Sequence, residues 1–283
     1  MRRSPKIRRL TVLLAAFAVA AACHPGFQPR SFSSTGALFR ASLTEYGMKR
    51  YDNAVTGFER LTLDLSARDT LLPLAHWYLA HAHEAKREHL LAASSYARLA
   101  ESFPDDSLAP LALLLAGDSY AALWRSPDLD ATYGDLAQIQ YRQLGAVYPD
   151  SPLRKRADSA SLAIDEKKAL KDYLTGMHYV RRKGFESSLI YFKDVVKNYP
   201  MTKVARDALM EMVVVYRRPE LKYLPEAAET CVTLRTAYAG DAAVAMLCPS
   251  TVPADSAGVK PKPPEATKKP GVATPATKKP LAG

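Results

Sequence analysis

A small residue followed four positions later by a large one recurs at five places along this chain, whose large residues are 38 to 51 positions apart. The pairs are Ala54 with Phe58, Ala92 with Tyr96, Ala137 with Tyr141, Ser188 with Phe192, and Ala227 with Cys231. Three positions after the large residue stand, in turn, Leu61, Leu99, Leu144, Val195 and Leu234. Offsets of four and three place such side chains on one face of an α-helix. The small residue lets a neighbouring helix approach closely, and the large one fills the space beside it. The motif therefore predicts five packed helices.

The three middle copies also contain a signal for where the helix ends. An aromatic residue and a proline follow the large residue there, at Phe103-Pro104, Tyr148-Pro149 and Tyr199-Pro200. Proline cannot continue a helix. A small residue, an aromatic four later and a proline eight beyond it are typical of the second helix of the tetratricopeptide repeat. The sequence thus predicts an all-α fold, an α-solenoid of about five tetratricopeptide-like helix pairs.

The spacing of the motif predicts how the pairs are grouped. Helix pairs are expected at 35–49 and 52–65, 71–86 and 88–103, 107–124 and 131–148, 151–182 and 184–199, and 202–217 and 223–239. The large residues are 38, 45, 51 and 39 positions apart. The longest interval contains 153–179, which has no proline, a single glycine and many good helix formers. An overlong helix there should divide the solenoid into three pairs plus two.

The N-terminus has the pattern of an export signal. Residues 1–9 are basic and 10–22 form an uninterrupted apolar run, shorter than the roughly 20 residues that span a bilayer. We therefore predict a lipoprotein signal peptide over 1–22. Small residues stand directly before Cys23, as in the bacterial lipobox, in which the cysteine is acylated and becomes the mature N-terminus. Ordinary cleavage beside an unmodified Cys23 is the alternative. Several acyl chains would anchor the protein stably, and His24 permits export to the outer membrane by analogy with Gram-negative lipoproteins.

The remaining segments flank the solenoid, which is predicted over 35–248. Residues 23–34 mix proline, glycine and serine and are predicted as a tether, and 249–283 as a disordered tail rich in proline and lysine. The net charge of +10 lies mostly at the ends, with +5 in 1–22 and +4 in 249–283. The basicity therefore does not favour nucleic-acid binding. A solvated tail and one that contacts anionic lipid or peptidoglycan are both open.

No motif for enzymatic chemistry occurs in the sequence, so no catalytic residue or cofactor is predicted. A cluster of histidines, at His76, His81, His83 and His89, has spacings that suit metal ligation poorly, so no metal site is predicted. Cys231 occupies the large position of the fifth motif, which favours core packing. Cys248 follows 17 residues later, and this spacing leaves open whether the two form a disulfide.

A lipoprotein signal followed by five such repeats, with a long helix between three and two of them, resembles the BamD family. These are lipoproteins of the machinery that assembles β-barrels in the outer membrane. The most specific match runs from 184 to 216 and includes NYPMT at 198–202 and ARDAL at 205–209. The resemblance covers about residues 35–240.

The resemblance implies a non-enzymatic scaffold on the periplasmic face of the outer membrane. The C-terminal repeats of this family hold the periplasmic POTRA domain of BamA, the barrel-forming partner. Matching that stretch gives a candidate partner surface of Tyr191, Lys193, Arg206 and Asp207. For the last two, an ordinary ion pair on a helix surface is the alternative.

The N-terminal repeats are expected to receive the C-terminal segments of unfolded outer membrane proteins. The face implied for them runs through Tyr46, Tyr78, His83 and Tyr120.

A tetratricopeptide lipoprotein of another envelope system, linked to peptidoglycan or acting as a secretin pilot, would share most of these features and remains the second hypothesis. A lipid-anchored enzyme is the third.

Overall fold

The computed structural model describes residues 26–249, and in this range the regular structure is α-helical apart from one short 3-10 turn at Pro29–Ser31. The helices are α1 Thr35–Gly47, α2 Tyr51–Asp64, α3 Leu71–Ala85, α4 His89–Ser102, α5 Ala109–Leu123, α6 Thr132–Val147, α7 Arg154–Arg181, α8 Phe185–Asn198, α9 Lys203–Tyr216, α10 Leu224–Ala237 and α11 Ala242–Leu247. Each packs against the next along the chain. The predicted signal peptide, Cys23 and the tail beyond 249 lie outside the described residues.

The predicted all-α solenoid of five helix pairs is confirmed, with α1 to α10 as the pairs. Their turns share a local device. In four of the five pairs, the turn between the two helices contains a basic residue with a left-handed backbone, at Lys49, Arg87, Lys183 and Lys222. This conformation lets the chain reverse within a few residues. The third pair instead uses the longer connection at 124–131, where the sequence has a proline and two aspartates.

The motif residues form the contacts between helices. The large positions are between 0% and 4% exposed in all five copies. On the facing helices, glycine supplies the space for two of the rings. A Cβ atom added to Gly117 would lie 2.3 Å from the Tyr141 ring, and one added to Gly176 would lie 2.6 Å from the Phe192 ring. Both glycines permit an approach that any larger residue would prevent.

Helix α7 joins two blocks whose hydrophobic cores are separate. Ala157 and Ile164 belong to the core around α4, α5 and α6, whereas Ala169 belongs to the core of α8, α9 and α10. The residues between them are polar. The Glu166 carboxylate accepts the backbone N–H of Lys203, at the start of α9, over 2.6 Å. The long helix therefore divides the solenoid three plus two, as the motif spacing predicts.

A lysine on the same stretch holds the other block. The Lys167 ammonium donates to the backbone oxygen of Trp124, just after α5, over 2.6 Å and lies 4.9 Å from the centre of its ring. A cation at a helix C-terminus and a carboxylate at a helix N-terminus both complement the helix dipole. Lys168 contacts Asp135 and Gln138 of α6. We call this polar stretch of α7, residues 165–168 with their contacts to both blocks, the joint.

Both ends of the solenoid have a feature that the sequence analysis either missed or left open. Phe27 and Phe32, within the predicted tether, pack against the core of α1, α2 and α3. At the other end, a disulfide joins Cys231 of α10 to Cys248 with a Cα–Cα distance of 5.4 Å, and α11 lies in the loop that it closes. No helix between residues 26 and 249 is both long and apolar enough to cross a membrane.

Candidate protein-interaction surfaces

The C-terminal candidates Tyr191 and Lys193 lie on different flanks of α8. The Tyr191 ring stacks on Tyr179 of α7, with ring centres 5.5 Å apart, and this neighbouring phenol is the main cause that raises the pKa of Tyr191. The exposed Lys193 instead places its ammonium 5.9 Å from the ring centre of Tyr216 on α9. These two residues therefore present side chains toward different neighbouring helices.

Arg206 and Asp207 belong to an ion-pair network at the first turn of α9. The Arg206 Nη1 group donates to Asp207 Oδ1 over 2.6 Å. Its Nε and Nη2 groups each lie 2.7 Å from Oδ2 of Asp241, and the hydrogen bond to Asp241 is the main cause that raises the pKa of Arg206. Asp241 was missed by the sequence analysis. Its place directly before an alanine-rich run is a helix N-cap signal that could have indicated it.

The same helix has an acidic face beside this network. Glu211 lies one turn after Asp207, and burial together with that neighbour raises the pKa of Glu211. Tyr173 of α7 is close to both carboxylates, and its burial, followed by their charge, raises its pKa. The C-terminal surface thus combines the exposed cation of Lys193 with a partly buried acidic and aromatic strip.

Tyr46 and Tyr78 meet in an aromatic cluster in the N-terminal block. Their ring centres are 5.9 Å apart, and Tyr78 also stacks on the buried Phe58 at 5.7 Å. Both tyrosines are half-buried, and burial is the main cause that raises the pKa of Tyr46. Rings with an apolar body and a hydroxyl at the edge can hold apolar side chains while bonding to a peptide backbone.

The other two N-terminal candidates are placed differently. His83 is 4% exposed, and its Nδ1 atom lies 2.8 Å from Glu88 Oε2 at the turn into α4. Tyr120 is half-buried against the core around α4, α5 and α6, and burial raises its pKa. The structure therefore brings together only Tyr46 and Tyr78 of the four.

Two residues of α3 that the sequence analysis did not choose pack against Tyr96 of α4. Trp77 and His81 have ring centres 4.5 Å apart, and both are half-buried. Their spacing of four along one helix is the signal that could have paired them. Burial lowers the pKa of His81. Among residues 26–249, no group of three histidine, cysteine or acidic side chains is arranged to hold a metal ion.

Helix pairs that each pack against the next along the chain define the class of helical-repeat proteins. The chain belongs to the YfiO family of outer membrane lipoproteins, whose sequence profile matches residues 33–231. This match confirms the resemblance to BamD-like lipoproteins and assigns the protein to the outer membrane.

Two solved structures to which the chain is similar are a tetratricopeptide protein and a proposed protein-binding protein. One is a thermophilic tetratricopeptide protein of Thermus thermophilus, 16% identical, covering 75% of this chain and 96% of that one with a TM-score of 0.32. Another is a proposed protein-binding protein of Bacteroides ovatus, 13% identical, covering 71% of this chain and 100% of that one with a TM-score of 0.33. A comparison with curated proteins gives no match.

Proposed function

We propose that the protein is a scaffold of β-barrel assembly, held by a lipid on the periplasmic face of the outer membrane. The observation that carries this proposal is the family match over 33–231, which spans both blocks of the solenoid. In this proposal the C-terminal block binds the POTRA domain of a BamA-like protein. The N-terminal block receives unfolded barrel proteins.

The charged surface supports the first of these roles. Lys193 is exposed on α8, and Arg206 retains part of its surface at the start of α9. Three of the N–H groups of Arg206 contact the two aspartates, and a guanidinium has five. Within residues 26–249, two donors therefore remain for an acceptor on the partner.

The aromatic face supports the second role. Tyr46 and Tyr78 lie at the surface of the core of α1, α2 and α3, with Phe39 and Phe58 behind them. An extended, apolar segment of an unfolded chain can pack on such rings, and the phenolic hydroxyls can bond to its backbone. We propose this face as the substrate groove, together with Trp77 and His81.

Capture of the partner from a membrane extract tests the assembly role. We expect a tagged chain to co-purify a barrel protein with POTRA domains, and Lys193→Ala or Arg206→Ala to lower its recovery by about tenfold. Lys197→Ala removes another lysine from α8 and should leave recovery unchanged. Depletion of the protein should lower many outer-membrane barrels together. Recovery of peptidoglycan-associated proteins alone would instead favour the adaptor of another envelope system.

The lipid anchor has its own test. We propose that 1–22 is removed as a signal peptide, that Cys23 is acylated, that 23–34 tethers the solenoid, and that 249–283 is a tail outside it. Cys23→Ser should transfer the protein from the membrane fraction to the soluble periplasm, because no acyl chains would hold it. Cys248→Ser keeps the anchor and should stay with the membrane. Mass spectrometry of the mature N-terminus should find acyl groups, and an unmodified Cys23 would contradict the proposal.

A further inference from the structure

The Asp241 carboxylate connects two elements that are distant in sequence. Its Oδ2 atom accepts from Nε of Arg206 over 2.7 Å and lies 2.7 Å from Nη2 of the same guanidinium. Its Oδ1 atom accepts the backbone N–H groups of Ala243 over 2.9 Å and Val244 over 3.2 Å, which caps α11. The Val244 N–H first, and the Arg206 guanidinium with it, hold the pKa of Asp241 below its usual range. The carboxylate is therefore ionised at neutral pH.

Helix α11, which begins directly after Asp241, is too short to keep its position alone. It has six residues, and an isolated helix of that length is unstable in water. Three kinds of contact hold it. Val244 is 2% exposed in the C-terminal core, Arg217 Nη1 donates to the Leu247 backbone oxygen over 2.9 Å, and the disulfide fixes Cys248 to α10. The disulfide is the covalent member of this set.

These contacts together determine the orientation of Arg206. A guanidinium is planar, so a hydrogen bond from Nε and a close ion-pair contact from Nη2 to Asp241, with a hydrogen bond from Nη1 to Asp207, fix both its position and its plane. The side chain of Arg206 is 25% exposed, and the N–H donors that contact neither aspartate are directed by that plane. An arginine ordered before binding loses less conformational entropy when a partner binds.

We infer that Asp241, held in place by the Cys231–Cys248 disulfide, is a positioning residue for Arg206 in the partner-binding surface. This inference rests on the proposed function, because it takes Arg206 as a contact of the POTRA-containing protein. It also makes the affinity of that surface for its partner depend on whether the disulfide is intact. A dithiol reductant, itself oxidised to a disulfide, would convert the Cys231–Cys248 bond to two thiols and so release Cys248, and with it the end of α11 opposite Asp241.

Asp241→Asn separates this role from simple capping. Asparagine is as good an N-cap as aspartate, so its oxygen can still bond to the N–H groups of α11. Its amide nitrogen replaces Oδ2 and cannot accept from Arg206. With the full mature chain and the purified POTRA region of the co-purified barrel protein, we expect about tenfold weaker binding by calorimetry and little change in melting temperature. Glu229→Gln makes the same chemical change on the exposed face of α10 and should not affect binding.

A double-mutant cycle distinguishes positioning from a general loss of stability. In an Arg206→Ala background, Asp241→Asn should weaken binding no further, because the group that it positions is absent. A residue that acted only through the stability of α11 would lower the affinity equally in both backgrounds. That result would overturn the inference.

The disulfide arm uses Cys248→Ser and, independently, the unmodified chain treated with dithiothreitol. Both should weaken binding by about as much as Asp241→Asn and increase hydrogen exchange at 241–248. Unchanged affinity in both would overturn the redox part.

If Arg206→Ala lowers affinity while Asp241→Asn does not, the inference fails and the proposed function stands. If the POTRA region does not bind the unmodified chain, the proposed function itself fails.

Discussion

Replacing Phe192 with alanine should lower the free energy of unfolding by about 3–5 kcal/mol, because it empties a fully buried aromatic site. The Phe192 side chain is 0% exposed and fills the space opposite Gly176 of α7. It is also part of the core shared by α7, α8 and α9, so its truncation should destabilise the whole C-terminal block. Chemical denaturation followed by circular dichroism measures it.

Its neighbour in sequence provides the control. Lys193 is exposed on α8, so Lys193→Ala should change the free energy of unfolding by less than about 0.5 kcal/mol. A second variant tests the contact itself. Gly176→Ala alone should clash with the ring, whereas in Phe192→Ala its methyl group enters the vacated space, so the two changes should cost less together than their sum. Equal melting of Phe192→Ala and Lys193→Ala would show that the buried face of α8 is assigned wrongly.

Trp124→Ala should destabilise the N-terminal block by a similar amount, about 3–5 kcal/mol. Trp124 is 1% exposed and is among the largest side chains in the core. Its ring packs so closely on α6 that a Cβ atom added to Gly134 would lie 2.6 Å away. The ring also lies beneath the ammonium of Lys167, which links it to the joint between the two blocks. The variant should therefore have a lower melting temperature and faster hydrogen exchange at the joint.

Leu129→Ala, in the same connection, is the matched control. Leu129 is 52% exposed, so its truncation should have little effect on stability. Hydrogen exchange over α7 reports on the joint, and the Trp124 variant should raise exchange near 164–169 while the Leu129 variant should not. If Trp124→Ala leaves both the melting temperature and this exchange unchanged, the ring does not support the joint.

The sequence by itself determined the helices and their buried faces. The small and large residues at offsets of four specify one stripe on each second helix, and Phe58, Tyr96, Tyr141 and Phe192 are all buried there. These are contacts between neighbours in the chain, and local periodicity with proline stops is enough to define them. The long interval before Phe192 likewise indicated α7 and the division of the solenoid.

The tertiary structure decided which side chains meet across the chain. Arg206 and Asp241 are 35 positions apart, and Trp124 and Lys167 are 43 apart, so no periodic pattern relates them. The same holds for the disulfide, which the spacing of its cysteines left open, and for the separation of Tyr191 from Lys193 on α8. Such contacts depend on how the helix pairs are stacked, because the rotation of each helix and the length of each connection fix where its polar side chains lie.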